Sequence, residues 1–455
     1  MRNLGPTSLA FALLMGFAVT ARSQPSAPGA SAAALPPASA QSPAVLAPLP
    51  SAHAEAATSA PKQAKSTSAP PKSPPPVVAA AAASRGPLAS FFDALSELRQ
   101  GKRQSHVRVL WLGDSHTNAD FLSGAVRSAL GEAFGDGGPG FVRIGTKPYR
   151  HAGLKLGREG SWNVDPDPPA RRALQDDGVF GLSGTRAVPE ADARWSLQRA
   201  GHDAAGDEPA RFELSYTLPV GSSFLLELSG QKQRIDAKTP ADVAASGIAH
   251  LTLTAPLKSQ LVLAPERGAP RFYGVIIERV ATPGVVLDTL GIDGARLETP
   301  LAWNEAAFVD EVARRSPELF VVAFGTNEAF DTQKVDKYAK HLAELVGRLR
   351  RGAPLASCLV LGPTDAPQGD GSVPRVAEVS SVLQTAAAPL GCSFVSLQQL
   401  MGGEGSFARG MKAKERLAQN DKLHLTPKGY QELGGALSKL LLDAYSAGRT
   451  ALPER

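Results

Sequence analysis

Cysteine is scarce in this chain: Cys358 and Cys392 are the only two among 455 residues. Neither has partner histidines at ligand spacing, which argues against a zinc site. Each opens an expected strand, Cys358–Leu361 and Cys392–Val395. If those strands are neighbours, an oxidising compartment would permit a bridge; if not, the chain holds two buried thiols, and both alternatives stay open. No apolar run reaches the roughly 20 residues that a membrane-spanning helix needs. A clustered basic footprint is also missing, so nothing points to a nucleic-acid binder. The net charge of +5 is scattered along the sequence. Such a balance serves solubility, or a mild attraction to an anionic polymer such as cell-wall glycan. No internal repeat is visible.

Large apolar residues are almost absent between residues 24 and 85, where Ala, Pro and Ser dominate. A tract like this cannot bury enough surface to offset the entropy of ordering, and it reads as a disordered linker. Before it, Arg2, the apolar run Leu9–Val19 and the small residues ending at Ser23 have the pattern of a secretory signal. Residues 1–23 are therefore expected to direct export. No Cys lies near Ser23, so attachment through a lipidated cysteine has no support.

The folded part opens with helical spacing over Pro87–Arg99. The short run Val109–Leu112 then reads as a buried parallel strand ending in Gly113-Asp114-Ser115. A hydroxyl is thereby placed at the carboxyl end of a strand, where open α/β sheets bind ligands. A helix beginning near Asn118 would set Ser115 against N–H groups that favour negative charge. The turn-rich stretch Gly135–Gly140 after that helix is expected to fold back near the serine. From 151 to 283 the texture changes to short alternating strands parted by Gly, Pro and Asp, which reads as an inserted β-sandwich. Strands and helices then alternate again from 284 to 446, before a tail over 447–455. The expected helices include Leu301–Ala313, Thr332–Arg351 and Val373–Ala387, the last strand is Phe394–Leu397, and Thr426-Pro427 starts the final helix. The fold class is α/β, a doubly wound parallel five-stranded sheet split between 86–150 and 284–446.

A serine hydroxyl needs an adjacent base, usually His, oriented by a carboxylate. Asp421 stands three residues ahead of His424, after the last strand and before the capped helix, and can turn back onto the imidazole. The strand ending at Phe324 runs into Gly325-Thr326-Asn327, which offers a side-chain N–H at the same sheet edge. The preceding strand ends in Gly291-Ile292-Asp293-Gly294-Ala295. Glycine there lets a backbone N–H approach a substrate closely. Ser115, Gly294 and Asn327 would form the oxyanion hole, with Gly291 competing for the second position. Asp114 is expected to be structural, and His116 to be a wall of the site, with a substrate contact as the alternative. Trp162, Trp195 and Tyr216 are core residues or sugar-stacking ones.

These four blocks, in this order, resemble those of the SGNH (GDSL) hydrolases, whose sheet is flavodoxin-like. The resemblance implies Ser115 as nucleophile, His424 as base, Asp421 as its orienter and no metal or cofactor. A narrower likeness is to the periplasmic peptidoglycan O-acetylesterases, through Gly113–Thr117, Gly135–Gly138, Gly291–Ala295 and an insert between the first two blocks. Asp293 stands where that group has Asn. The likeness implies an exported or periplasmic serine esterase removing O-acetyl groups from an acetylated cell-wall glycan, its insert being carbohydrate-binding-like. The alternatives are an esterase or O-acetyltransferase acting on another glycan, or a non-catalytic cell-wall-binding protein.

Overall fold

A computed structural model describes residues 86–170, 177–201, 206–237 and 247–452. The expected signal and linker lie outside the described residues. Five parallel strands form one sheet: β1 Val107–Gly113, β2 Val285–Gly291, β3 Leu319–Ala323, β4 Ser357–Leu361 and β5 Ser393–Val395, in the order β2-β1-β3-β4-β5. This is the flavodoxin-like order, with its switch point between β1 and β3. The register aligns Gly113 with Gly291 on one side and with Ala323 on the other. Ala323 in turn aligns with Leu361, and Leu361 with Val395. All five loops at the carboxyl edge therefore leave the sheet at one level.

Alternate residues of β1 feed two different cores. Val107, Val109 and Trp111 pack with helices α1 Ala89–Arg99, α2 Leu122–Phe134 and α6 Pro427–Ser446. Leu110 and Leu112 pack on the other face with α3 Glu305–Arg315, α4 Asp336–Gly352 and α5 Pro374–Ala387. Burial on both faces explains the unbroken apolar run. Cys358 and Cys392 stand at the amino ends of the neighbouring strands β4 and β5 and form a disulfide, with a Cα–Cα distance of 4.6 Å.

Two antiparallel sheets lie between β1 and β2 in sequence. One contains the strands Trp162–Asp165, Arg186–Pro189, Pro209–Thr217, Ala249–Pro256 and Arg271–Arg279, with Gly140–Val142 paired to the last. The other contains Leu154–Glu159, Arg194–Arg199, Ser223–Leu228, Gln231–Asp236 and Leu261–Arg267. Both contribute to one apolar cluster that includes Trp162, Trp195, Phe212, Phe224 and Phe272. The antiparallel region is bound to the parallel sheet by buried Arg315 of α3, which bridges Asp288 of β2 and Glu278 of the Arg271–Arg279 strand. Desolvation opposes ionisation of Glu278, but Arg108 and Arg315 outweigh it and hold its carboxyl well below the usual range.

Several expectations change in three dimensions. The boundary at 150 moves back, because Gly140–Val142 already belongs to an antiparallel sheet. Gly135–Gly138 does not fold back near Ser115. Thirteen residues of α2 rise about 20 Å, returning the chain to the amino edge, where Gly137 N–H donates to Val285 O. The helix expected over Leu301–Ala313 is broken after a single turn, Pro300–Ala302. It restarts at α3 because Asn304 caps the N–H of Ala307 at 3.0 Å. Helix α4 starts at Asp336 rather than Thr332. Strand β5 stops at Val395 because Ser396 caps the next helical turn, accepting from Gln399 N–H at 3.2 Å. The start of the expected tail is docked: Thr450 O accepts the N–H of Leu88 at 2.8 Å, and Leu452 is buried.

Candidate active site

Ser115 follows β1 directly and opens a single helical turn, Ser115–Asn118. Asp114 caps this turn, accepting the N–H of His116 at 2.9 Å. Its role in the structure is that cap, and burial pushes its carboxyl up to about 8. The long helix α2 begins only at Leu122, so the charge-favouring field at Ser115 comes from one turn and not from a long helix dipole. The interruption centres on Asp120, whose φ is +50°. Its buried carboxylate accepts from Ser123 Oγ at 2.9 Å, Thr289 Oγ1 at 2.8 Å and Ala152 N–H at 2.7 Å, and it pairs with Arg127. Burial opposes its charge, but Arg127 and the other donors hold the carboxyl far below its ordinary range.

The loop before α6 brings His424 to the serine. Its Nε2 lies 2.8 Å from Ser115 Oγ, and its Nδ1 lies 2.7 Å from Asp421 Oδ2. Asp421 Oδ1 also accepts the N–H groups of Leu423 and His424, both at 3.0 Å. That turn requires φ +61° at Lys422, an unusual conformation for a residue with a side chain. Partial burial raises the Asp421 carboxyl, but the His424 N–H, its imidazole and the Leu423 N–H outweigh this and hold it below the usual range. Thr426 caps α6 as the sequence suggests, accepting from Gly429 N–H at 3.1 Å.

The other two loops are tied to the serine turn and to each other. Asn118 Nδ2 donates to Asp293 Oδ1 at 2.9 Å, and Asn327 Nδ2 donates to Ala295 O at 2.9 Å. Asn327 precedes a 3-10 turn but its Oδ1 caps nothing, and among the described residues Ala295 O is the one acceptor of its Nδ2, which leaves a second N–H to offer. A Cβ on Gly291 would meet Asn118 N at 2.2 Å, so glycine there permits close packing of the serine turn. Gly294 has φ +74°, and among the described residues no acceptor takes its N–H or that of Ser115. The structure thus gathers Ser115, Asp421 and His424, and links the Gly294 and Asn327 loops beside them. Such a set can carry out acyl transfer through a serine ester.

His116 stands out by its place after Ser115, but the residues that hold it, and Glu328 and Arg143, give no local signal in the sequence. His116 is buried beneath His424, with ring centroids 5.4 Å apart. Its Nδ1 lies 2.8 Å from Tyr430 Oη and its Nε2 3.4 Å from Thr364 Oγ1. Burial, aided by His424, pushes the His116 imidazole down to about 3, so it stays neutral and serves as a wall. Glu328 accepts the N–H groups of Leu297 at 2.8 Å and Gly325 at 3.0 Å, stapling the Gly294 loop to the Asn327 loop. Burial pushes its carboxyl up to about 7. Arg143 donates to Asn118 Oδ1 at 3.1 Å and to Gly291 O at 2.6 Å. Trp162, Trp195 and Tyr216 are buried core residues.

The model of the GDSL-like lipase/acylhydrolase family matches residues 253–432. The chain carries a GDSL-like lipase/acylhydrolase domain. That domain supports an esterase-type hydrolase. The match takes in Gly294, Asn327, Asp421 and His424 but not Ser115, which the antiparallel strands separate from the rest of the domain. No curated protein sequence matches this chain. Among solved structures, a peptidoglycan O-acetylesterase is similar in fold, with a TM-score of 0.66 and 22% identity over 80% of this chain and 97% of that one. A family two carbohydrate esterase from Clostridium thermocellum also matches, with a TM-score of 0.26 and 11% identity, over 65% of this chain and 99% of that one.

Proposed function

We propose that this GDSL-type esterase is exported and removes O-acetyl groups from a cell-wall glycan, with Ser115 as nucleophile, His424 as base and Asp421 as orienter. The observation that carries the reading is the position of His424 between Asp421 Oδ2 and Ser115 Oγ, at 2.7 and 2.8 Å. A carboxylate only accepts, so Asp421 fixes the proton on Nδ1 and leaves Nε2 free to take the serine proton. Ser115 Oγ then attacks the acetyl carbonyl carbon as its proton passes to His424. The N–H groups of Ser115 and Gly294 and Asn327 Nδ2 hold the resulting oxyanion, and loss of one such donor costs roughly 2.7–4 kcal/mol of barrier. Collapse breaks the bond to the sugar oxygen, which leaves with the proton from His424. Water repeats the sequence on the acetyl-serine: His424 takes its proton, acetate departs and Ser115 regains its hydrogen.

Support for a glycan ester comes from the fold likeness to a peptidoglycan O-acetylesterase, which spans most of both chains. We read the two antiparallel sheets around their common core as an inserted β-sandwich of carbohydrate-binding type. The signal pattern before Ser23 and the Cys358–Cys392 disulfide suit an oxidising compartment outside the cytoplasm. The test is acetate release from O-acetylated peptidoglycan by the wild type beside Ser115→Ala. Release by the wild type alone supports the reading. Turnover of a small aryl acetate without release from peptidoglycan would keep the esterase and discard the cell-wall substrate.

A further inference from the structure

Phe330 is the one aromatic side chain exposed to solvent among the described residues, at 53% of its full accessibility. It ends the 3-10 turn Glu328–Phe330 that immediately follows Asn327. Three residues bring its Cα within about 11 Å of Asn327, at the same carboxyl edge of the sheet as Ser115. The turn beneath it is fixed from several sides. Arg375 Nε and Tyr338 Oη donate to Glu328 O at 3.1 and 3.3 Å. Asp331 accepts from Tyr338 Oη and from Gln333 N–H, and Arg296 lies against its carboxylate at 3.3 Å. Glu328 and Ala329, the two preceding residues of the turn, are buried. The ring is exposed and the turn beneath it is firmly held, so it is a pre-ordered apolar surface close in sequence to Asn327.

We propose that Phe330 is a sugar-stacking platform, the residue that favours acetyl groups on a saccharide over those on small alcohols. The C–H groups on one face of a pyranose ring carry partial positive charge and match the negative face of an aromatic ring, while the sugar hydroxyls around the rim stay in water. A lipid ester would instead call for a continuous apolar groove leading from Ser115. The inference rests on the glycan-ester reading, and the experiment separates the failure of one from the failure of the other.

Phe330→Ala and Phe330→Trp are compared with the wild-type full chain on O-acetylated peptidoglycan fragments and on 4-nitrophenyl acetate. Binding of an isolated muropeptide is measured by calorimetry for Ser115→Ala and for Ser115→Ala/Phe330→Ala. The expected result for Phe330→Ala is a rise of about tenfold in KM for the glycan, with little loss of kcat. The ratio of glycan to aryl-acetate kcat/KM should fall by the same factor, Phe330→Trp should restore it, and muropeptide binding should weaken in parallel. Equal loss on both substrates would show a structural role and overturn the platform, as would an unchanged ratio or no rescue by Trp. If the wild type releases no acetate from peptidoglycan, the binding arm decides. Weaker muropeptide binding without Phe330 keeps the platform while the acetyl-glycan reading falls; no muropeptide binding, or binding indifferent to Phe330, removes the platform.

Discussion

The sharpest perturbation of this site is Asp421→Asn. Asp421 Oδ1 accepts two backbone N–H groups, from Leu423 and His424, and Oδ2 accepts from His424 Nδ1. Asparagine can keep its oxygen on the two backbone donors, so the turn through Lys422 survives. Its amide nitrogen then faces Nδ1 and can only donate. The imidazole must move its proton to Nε2, where it meets Ser115 Oγ and can no longer accept the serine proton. With a buried carboxylate, this tautomer change costs about 10⁴-fold in kcat. The Asp421 side chain is 44% exposed, so water can compete for Nδ1–H and part of the loss is relieved. A fall of about 10²–10³-fold is expected, or about 3–4 kcal/mol of barrier. Asp421→Ala is the useful contrast: it frees the imidazole to water but also removes the bonds that hold the strained Lys422 turn, so its thermal midpoint should drop while that of Asp421→Asn stays. The assay is aryl-acetate turnover from pH 5 to 9 with melting curves on the same samples. An Asp421→Asn enzyme within about threefold of wild type would refute the orienting role.

Two further perturbations test the frame around the site. Glu328 has its carboxyl raised by burial from 4.5 to about 7, so its stability contribution is complete below pH 4.5 and is lost as pH climbs towards 7. Glu328→Gln cannot ionise but sets an amide nitrogen against one of the two backbone donors, so it should start less stable than the wild type and gain on it over that window, by at most about 3 kcal/mol. Urea unfolding at pH 4.5 and 7.5 measures it, and parallel curves would contradict it. The Cys358–Cys392 disulfide spans 34 residues and should contribute roughly 3–4 kcal/mol by restricting the unfolded chain. Reduction should lower the thermal midpoint but leave kcat/KM unaltered at temperatures where the fold persists, because the bridge lies at the amino edge, opposite Ser115. A matching loss of activity in the folded, reduced enzyme would show that the bridge positions the site.

What the sequence could and could not say follows from how far apart the deciding groups lie. Val109–Leu112 and Leu319–Ala323 are legible because strands buried on both faces write their environment as an unbroken apolar run. Thr426-Pro427 is legible because a helix cap is settled within four residues. Leu154–Glu159 and Gln231–Asp236 are written only faintly because they are the two outer strands of their sheet and largely wet, with alternation reduced to Leu154 and Leu156 in the first and missing from the second. The placing of Gly135–Gly138 fails for a different reason: glycine marks a turn but not the end of the sheet at which it falls. The length of α2 decides that. The same division runs through the site. Asp421 and His424 are three residues apart, so their contact could be argued from spacing. Tyr430 meets His116 across 314 positions, and Glu328 joins Leu297 across 31. Neither pairing has a local cause. Even the cysteines obey this division, since the residues named two expected strands, and only the adjacency of β4 and β5 in the sheet chose a bridge over two thiols.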